Sequence, residues 1–379
     1  MMDLFERVDA EMRSAVQDMQ FPGLVWSVTT GHDAGRRVAL QAPGEVPGDA
    51  LIRIASVTKP IAAAATLALA EDGVLALDDP VERFVPAWAG RRVLAARNGP
   101  LSATVPAARP TTVRDLLAMG FGLGYDTVAP ESDALSTATT AAGLYSGWRA
   151  PGLDPATWAE RAAGLPMAHQ PGQGWLYQSS FDALTVVLQA ATGQGFEVIL
   201  RERILDPLGM DETRYTVPER ALDRVPRHGF PDAAGGPAEI LPAGDRSLLE
   251  PPLFPSAATG LVSTAADLMR FAALLLDGGR GPDGRVLSEG SVRAMATDTT
   301  TPAGRAMGRG FLPEGHGWGL GVGIDRRGRF GWDGGTGSSL WVDPAAEVAG
   351  VLLTTEGLGS PDPPQYLQRF WRAVRRRPD

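Results

Sequence analysis

The residues with the clearest chemical potential are Ser56 and Lys59, which lie in the stretch IASVTKP at 54–60. Lys59 is the only lysine in the chain, and arginine supplies the other strongly basic side chains. An amine can lose its proton when it is desolvated or set beside other cations, whereas a guanidinium stays charged at any ordinary pH. We therefore expect Lys59 to perform a task that arginine cannot.

The residues after Pro60 indicate how these two side chains are held. The run IAAAATLALA at 61–70 consists of strong helix formers with no polar face, which predicts a buried helix. Ser56 is expected in its first turn, which places Lys59 on the same face, beside N–H groups that favour an oxyanion. This pattern predicts a serine nucleophile with a lysine base, a pair used in acyl transfer. A helix cap followed by a solvated lysine is the alternative, but it explains neither the buried helix nor the single lysine.

Tyr177 is a candidate third member of the site. It lies in a loop between the turn sequence PGQG at 171–174 and a helix predicted from Phe181 to Thr192, with Gly193 as its end. A phenol beside an ammonium group has a lowered pKa and can serve as a base or proton shuttle. The alternative is a half-buried tyrosine packed on Trp175, and this residue taken alone favours that alternative.

The segment GWDGGTG at 331–337 is a candidate for the backbone part of the site. Glycines after a strand permit a close approach of the backbone to a ligand, and one N–H there could join that of Ser56 in an oxyanion hole. A glycine turn between two strands is the alternative. The chain has no G-x-S-x-G elbow and no aspartate–histidine pair beside a serine, so a conventional triad lacks support.

Composition limits the other classes of function. The net charge of −9 argues against nucleic acid or an anionic membrane as the main partner. The absence of cysteine excludes disulfides and thiolate chemistry, and the 4 histidines form no H-x-x-x-H pair, so we expect no metal and no cofactor. The N-terminus lacks a signal-peptide pattern and no stretch has the length of a membrane helix, which favours a cytoplasmic protein. The oligomeric state stays open.

Strand patterns lie at both ends of the chain and helical patterns between them. This order predicts an α+β fold in which one antiparallel sheet is flanked by helices and carries an inserted, mostly helical domain. At 379 residues the chain exceeds one typical domain, and we expect a sheet domain at 1–76 and 255–379 and a helical domain at 77–254. Residues 130–155 are expected to form a long loop near the site. The predicted strands are 24–30, 37–41, 51–54, 319–324, 329–332, 338–343 and 348–354; the other predicted helices are 3–19, 112–117, 265–276 and 364–375.

The order of Ser-x-x-Lys, Tyr177 and a glycine-rich strand end resembles the serine β-lactamase and penicillin-binding-protein superfamily. The chain looks closest to the class C β-lactamase-like serine hydrolases and their esterase branch. Further similar stretches are LDDPV at 77–81, TVRDLL at 112–117, PLGMDET at 207–213 and GLVSTAADL at 260–268. The resemblance implies a β-lactamase/transpeptidase-like fold, with Ser56 as the acylated nucleophile, Lys59 as its activator and Tyr177 as the partner base. It also implies that Ser56 and Gly335 donate the oxyanion-hole N–H groups.

Two departures from this pattern concern the substrate. Ser179 stands where penicillin-recognising members carry an asparagine that binds a substrate amide, and Trp332 stands where they carry a cation that binds a carboxylate. Both changes argue against β-lactam hydrolysis and peptide cleavage, while an indole offers apolar contact area. The expected substrate-binding residues are Ser179, Trp332, Asp333, Gly334, Trp318 and Tyr125, with Trp175 and Phe121 expected nearby.

The leading hypothesis is a serine hydrolase that cleaves neutral carboxylic esters through an acyl-enzyme on Ser56, with a small-molecule ester or acyl compound as its substrate. An acyltransferase would use the same residues, and a β-lactamase or D-amino-acid peptidase would share the nucleophile. A non-catalytic penicillin-binding-like module is the alternative from another class. The joint presence of Ser56, Lys59 and Tyr177 argues against it, because a binding-only protein could lose any of them.

Overall fold

The computed structural model describes residues 3–32, 35–129, 133–231, 237–359 and 363–375. The strands are β1 Leu24–Thr30, β2 Arg37–Gln41, β3 Ile52–Arg53, β4 Arg92–Leu94, β5 Thr104–Pro106, β6 His228–Pro231, β7 Pro237–Leu241, β8 Val262–Ser263, β9 Arg280–Gly281, β10 Gly284–Arg285, β11 Gly317–Trp318, β12 Gly323–Ile324, β13 Phe330–Gly334, β14 Ser338–Asp343 and β15 Val348–Thr354. The α-helices are α1 Leu4–Ala15, α2 Thr58–Glu71, α3 Val113–Leu117, α4 Ala134–Ala141, α5 Pro155–Ala163, α6 Ser179–Thr192, α7 Phe196–Leu200, α8 Ala265–Leu276, α9 Glu289–Met295, α10 Pro302–Met307 and α11 Gln365–Arg375.

A seven-stranded antiparallel sheet forms the centre of the fold, in the order β11-β12-β13-β14-β15-β1-β2. The two ends of the chain meet in it, because β1 pairs with β15 along its whole length, from Leu24 opposite Thr354 to Thr30 opposite Val348. Alternate side chains of β1 point to opposite faces, so that Val25 joins one hydrophobic cluster while Trp26 and Val28 join the other. The predicted antiparallel sheet flanked by helices is thereby confirmed.

Helices cover both faces of this sheet. The helices α1 and α11 pack together on one face, and α8 packs on the other, with α2 in the same core cluster. That cluster also includes side chains of α5 and α6 from the middle of the sequence. The division into a sheet domain and a helical domain stays a prediction. No single helix of the described ranges is long and apolar enough to cross a membrane; α6 and the segment Phe196–Leu208 meet those criteria only as a bent pair.

Local capping explains why several helices lie where the sequence predicts them. Thr112 caps α3 by accepting the Asp115 N–H, and Thr264 caps α8 by accepting the Asp267 N–H. The helix predicted from Phe181 begins two residues earlier, at Ser179, and ends at Gly193 in a left-handed conformation.

Two strand predictions are wrong in extent. The run at 51–54 contains only the short strand β3, which pairs with β8 in a separate two-stranded sheet. The run at 319–324 is interrupted by a turn, so that only Gly323 and Ile324 form a strand. Gly321 has a φ of +85° in this turn, and a Cβ there would lie 2.3 Å from the Ala63 side chain. The close approach of α2 therefore replaces regular strand geometry.

The prediction of a long loop at 130–155 is also wrong in part. Residues 134–141 form α4, which Asp133 caps by accepting the Ser136 N–H. Residues 130–132 lie outside the described part of the chain. The alanine, threonine and serine content of this stretch is typical of a loop, but the buried side chains of Leu135 and Thr139 give the helix a face that packs on the protein.

Candidate active site

A cleft of about 1390 Å³ lies where the sheet end meets the helical region. Most of the predicted site lines it, and its lining includes Ser56, Tyr125, Tyr177, Trp332, Asp333 and Gly335. These residues are brought together from four distant parts of the sequence. The cleft is the natural place for a small-molecule substrate.

Ser56 is held in a one-turn 3-10 helix, Ala55–Val57, that continues directly into α2. Ala55 has a φ of +41°, in the left-handed region that non-glycine residues rarely adopt. Such strain persists only where the surrounding structure imposes it, and it is typical of functional sites. The first N–H groups of a helix have no acceptor within it, so the Ser56 N–H is available to a ligand.

The side chain of Lys59 is fully buried, and its Nζ lies 2.9 Å from Ser56 Oγ. Its other two neighbours are Gln178 Oε1 at 2.6 Å and the Ala258 carbonyl oxygen at 2.8 Å. Burial holds the pKa of Lys59 well below its ordinary value, and the nearby Asp182 carboxylate opposes this only in part. A solvated lysine is excluded, and the amine is suited to accept a proton from Ser56.

Tyr177 lies beside this pair, but its ionisation differs from the sequence-based expectation. Its ring packs 4.5 Å from Lys59 Nζ, and its hydroxyl accepts a hydrogen bond from Trp332 Nε1 at 2.7 Å. Burial raises the pKa of Tyr177, although its interactions with Ser56 and Trp332 act in the opposite direction. The expected lowering of its pKa is wrong because burial of the phenol outweighs the hydrogen bonds that favour its ionised form. Tyr177 is therefore a neutral phenol that can pass on a proton.

Aromatic side chains form the wall next to Tyr177. Phe311 stacks on Tyr177 with ring centres 4.2 Å apart, and Trp332 packs against the same ring at 5.7 Å. Trp318 does not line the cleft: it is fully buried behind Trp332, in an edge-to-face contact at 4.7 Å. Trp175 also packs behind Tyr177, at 5.8 Å, and neither it nor Phe121 lines the cleft. Trp318 consequently supports the wall instead of contacting a substrate.

The two glycines after Asp333 have different surroundings. A Cβ on Gly334 would lie 2.2 Å from Ser338 Oγ and 2.4 Å from the Ile54 carbonyl oxygen, and Gly334 does not line the cleft. Gly335 lines the cleft together with Ser56, and a Cβ there would meet no atom within 4 Å. Gly334 thus permits close packing of β13 on the segment before Ser56, and Gly335 is open to a ligand.

Asp333 and Tyr125 line the cleft but are engaged by neighbouring groups. The Asp333 carboxylate accepts hydrogen bonds from Trp341 Nε1 at 2.9 Å and from Ser339 Oγ, and burial raises its pKa. The Tyr125 hydroxyl donates to the Ser146 carbonyl oxygen at 3.2 Å. A direct contact of either side chain with substrate stays a prediction.

The expected contact of Ser179 with substrate disagrees with its position. Ser179 is fully buried in the first turn of α6 and does not line the cleft. The preceding residue, Gln178, has a φ of +89° and places its side chain against Lys59. Sequence reasoning missed Gln178, although its position directly after Tyr177 was a usable signal. It also missed Asp182, one helical turn further on, whose carboxylate is fully buried.

Comparison with known proteins agrees with this architecture. The sequence matches the family described as Beta-lactamase over residues 8–369, so the chain belongs to that family. Its fold is that of the β-lactamase/transpeptidase-like serine hydrolases.

Individual relatives cover most of the chain. Protein Rv1367c of Mycobacterium tuberculosis is 33% identical over 333 residues, which span 80% of this chain and 77% of the relative. Esterase EstB of Burkholderia gladioli is 29% identical over 383 residues, which span 94% and 93% of the two chains. The solved structure of EstCE1, described as a hydrolase with promiscuous acyltransferase activity, superposes with a TM-score of 0.80 at 22% identity and covers 98% of each chain.

Proposed function

We propose that this protein is a serine hydrolase that cleaves neutral carboxylic esters through an acyl-enzyme on Ser56. The observation that carries the proposal is the contact of Ser56 Oγ with a fully buried lysine amine at 2.9 Å. Two of the three neighbours of that amine are oxygens that can only accept hydrogen bonds. The lone pair of a neutral Lys59 is therefore left for the hydroxyl proton of Ser56.

Each step of the reaction has a group in place. Lys59 takes the proton of Ser56 as Oγ attacks the ester carbonyl, and the N–H groups of Ser56 and Gly335 stabilise the oxyanion. The neutral Tyr177 hydroxyl relays a proton to the leaving alkoxide. Deacylation repeats these steps in reverse, with water in the place of the leaving alcohol.

The lining of the cleft also includes arginines, among them Arg326 and Arg375, but its aromatic wall beside Tyr177 supports a neutral ester. Tyr177, Phe311 and Trp332 present aromatic surface, and the position of Trp332 carries no cation for a substrate carboxylate. A buried carboxylate without a partner costs on the order of several kcal/mol. The likeness to Esterase EstB over nearly its whole length supports an ester as the substrate.

The test compares an ester with a β-lactam on one preparation. We expect kcat/KM for p-nitrophenyl butyrate to exceed that for nitrocefin or a D-Ala-D-Ala peptide by orders of magnitude. Treatment with an activated phosphonate should give an adduct on Ser56, and Ser56→Ala should abolish both turnover and labelling while the protein stays folded. Equal efficiency on nitrocefin would indicate a β-lactamase, and an adduct on another serine would refute the assignment.

Acyl transfer is the second candidate, and the size of the cleft favours it. Its volume of about 1390 Å³ exceeds the range of roughly 300–1,000 Å³ that is usual for one small ligand. An acceptor alcohol could therefore occupy the cleft beside the acyl group. Product analysis with an added alcohol decides between the two activities: a transferred ester above the level expected from water competition supports acyl transfer, and free acid alone supports hydrolysis.

A further inference from the structure

We propose that Asp182 is a positioning residue that orients the lone pair of Lys59 towards Ser56 through two hydrogen-bonded arms. The inference rests on the proposed function, in which Lys59 takes the proton of Ser56. It concerns a residue one turn inside α6 that lies away from the cleft surface and touches neither Ser56 nor Lys59 directly.

The starting point is the number of hydrogens on a neutral amine. Such a group has two N–H donors and one lone pair, and Lys59 Nζ has three polar neighbours. The lone pair faces Ser56 only if the other two neighbours are fixed as acceptors. The carbonyl of Ala258 is always an acceptor, but the amide of Gln178 could turn its NH₂ group towards Lys59 instead.

The first arm fixes the amide of Gln178. Ser146 Oγ donates its only proton to Asp182 Oδ2 at 2.7 Å, because an ionised carboxylate can only accept. Ser146 can then only accept from Gln178, whose Nε2 lies 3.0 Å from Ser146 Oγ and 3.1 Å from the Gly147 carbonyl oxygen. Gln178 must therefore present its oxygen to Lys59.

The second arm holds the other acceptor in place. Ser256 Oγ donates to Asp182 Oδ1 at 2.6 Å and accepts the Ala258 N–H at 2.9 Å. This bond fixes the backbone at Ala258, whose carbonyl oxygen lies 2.8 Å from Lys59 Nζ. Both oxygens of one carboxylate thus organise the two acceptors of Lys59.

A purely structural role does not explain the surroundings of Asp182. Its carboxylate is fully buried, and it forms no ion pair with any described residue. Burial raises its pKa to about 6, although the two hydroxyl donors, and Lys59 whenever it is protonated, act in the opposite direction. The other titratable groups that sense it are Tyr125 and Tyr215. Below this pKa, a protonated Asp182 could donate a hydrogen bond to Ser146 or Ser256, which would reverse the direction of the hydrogen bonds along that arm.

The experiment compares Asp182→Asn with Ser146→Ala/Ser256→Ala in the 379-residue chain. We expect Asp182→Asn to lower kcat for p-nitrophenyl butyrate by roughly 10²-fold with little change in KM, because the amide NH₂ can donate and misdirects one hydroxyl. The acidic limb of its kcat/KM profile should move to lower pH, because loss of the carboxylate charge lowers the pKa of Lys59 further. Ser146→Ala/Ser256→Ala should also lower kcat, because it breaks both arms while Asp182 itself remains in place.

Ser180→Ala is the matched control. It removes another buried hydroxyl of α6, which accepts the Phe121 N–H at 3.1 Å and hydrogen-bonds to neither arm. Its acidic limb should stay unchanged. A folded Asp182→Asn with wild-type kcat and an unmoved acidic limb would overturn the proposal. So would losses of kcat in all three variants that merely parallel the decrease in their melting temperatures. If Asp182→Asn does not fold, unchanged kcat in Ser146→Ala/Ser256→Ala overturns it. Labelling of Ser56 in the wild type tests the proposed function separately.

Discussion

At the scale of single residues, desolvation decides the chemistry of the site. Lys59 and Tyr177 are both buried, and burial disfavours the charged form of each. A lowered pKa leaves the lysine amine neutral and able to accept a proton, whereas a raised pKa keeps the tyrosine a protonated phenol that cannot act as a base. In the proposed mechanism the proton of Ser56 therefore passes to Lys59, and Tyr177 serves as a relay.

The first prediction concerns the kind of cation at position 59. Lys59→Arg should lower kcat/KM for p-nitrophenyl butyrate by roughly 10³-fold or more, about as much as Lys59→Ala. The reason is that a guanidinium cannot give up its proton to become a base. Phosphonate labelling of Ser56 should slow in parallel, with the melting temperature as the check on folding. Retention of most activity in Lys59→Arg would show that only the positive charge matters.

The pH dependence gives a second prediction. Protonated Lys59 cannot accept a proton, so kcat/KM should fall as the pH drops through the lowered pKa of Lys59 and be full above it. The acidic limb should thus lie well below 10.5, the ordinary pKa of lysine. A pH profile of kcat/KM with a neutral ester measures this. A limb near 10.5 would mean that Lys59 is not desolvated in solution.

At the scale of elements, the contact of β13, β14 and the turn between them with the segment before α2 holds Ser56 against the glycine-rich strand end. Ser338 Oγ donates to the Ile54 carbonyl oxygen at 2.7 Å, and Thr336 Oγ1 donates to that of Arg53 at 2.6 Å. Gly334 lies in this contact and Gly335 lies just beyond it. Gly334 therefore allows the close packing, whereas Gly335 remains open to the cleft.

This difference gives a third prediction. Gly334→Ala should lower the free energy of unfolding by about 1–3 kcal/mol, because its Cβ overlaps Ser338 Oγ and the Ile54 carbonyl oxygen. Gly335→Ala is the control and should leave stability nearly unchanged, since its Cβ meets nothing within 4 Å. Urea denaturation of both variants measures the effect. Equal stability of the two variants would contradict the packing assigned to Gly334.

At the scale of the whole molecule, the aromatic wall exists only because distant segments converge. Tyr177 precedes α6, Trp332 belongs to β13, and Phe311 lies in the connection between α10 and β11. The Tyr177 ring packs 4.2 Å from that of Phe311 and 5.7 Å from that of Trp332 on one side of the cleft. The substrate preference is consequently a property of the assembled fold.

The fourth prediction tests this wall. Trp332→Ala should raise KM for apolar esters by about 10-fold, the amount expected from the loss of buried aromatic area. Trp332→Phe keeps aromatic area but loses the hydrogen bond to Tyr177, so it should retain a KM close to that of the wild type while kcat falls. Trp332→Lys should not restore binding of apolar esters. An unchanged KM in Trp332→Ala would remove Trp332 from the substrate site.

The sequence by itself determined the features that depend on neighbours along the chain. The buried helix α2, the spacing of Ser56 and Lys59, and the caps at Thr112 and Thr264 follow from short-range periodicity and hydrogen bonding. The pairing of the two chain ends in one sheet also followed, because alternating strand patterns lie at both ends.

Only the tertiary structure decided which groups surround Lys59. Gln178 and Ala258 are far from it in sequence, as are the Asp182 and Ser146 side chains behind them, and no local pattern places these segments together. The same holds for the pKa of Tyr177, the position of Trp318 behind the wall and the burial of Ser179. Burial and long-range hydrogen bonds arise when separate segments pack, and no local sequence pattern encodes them.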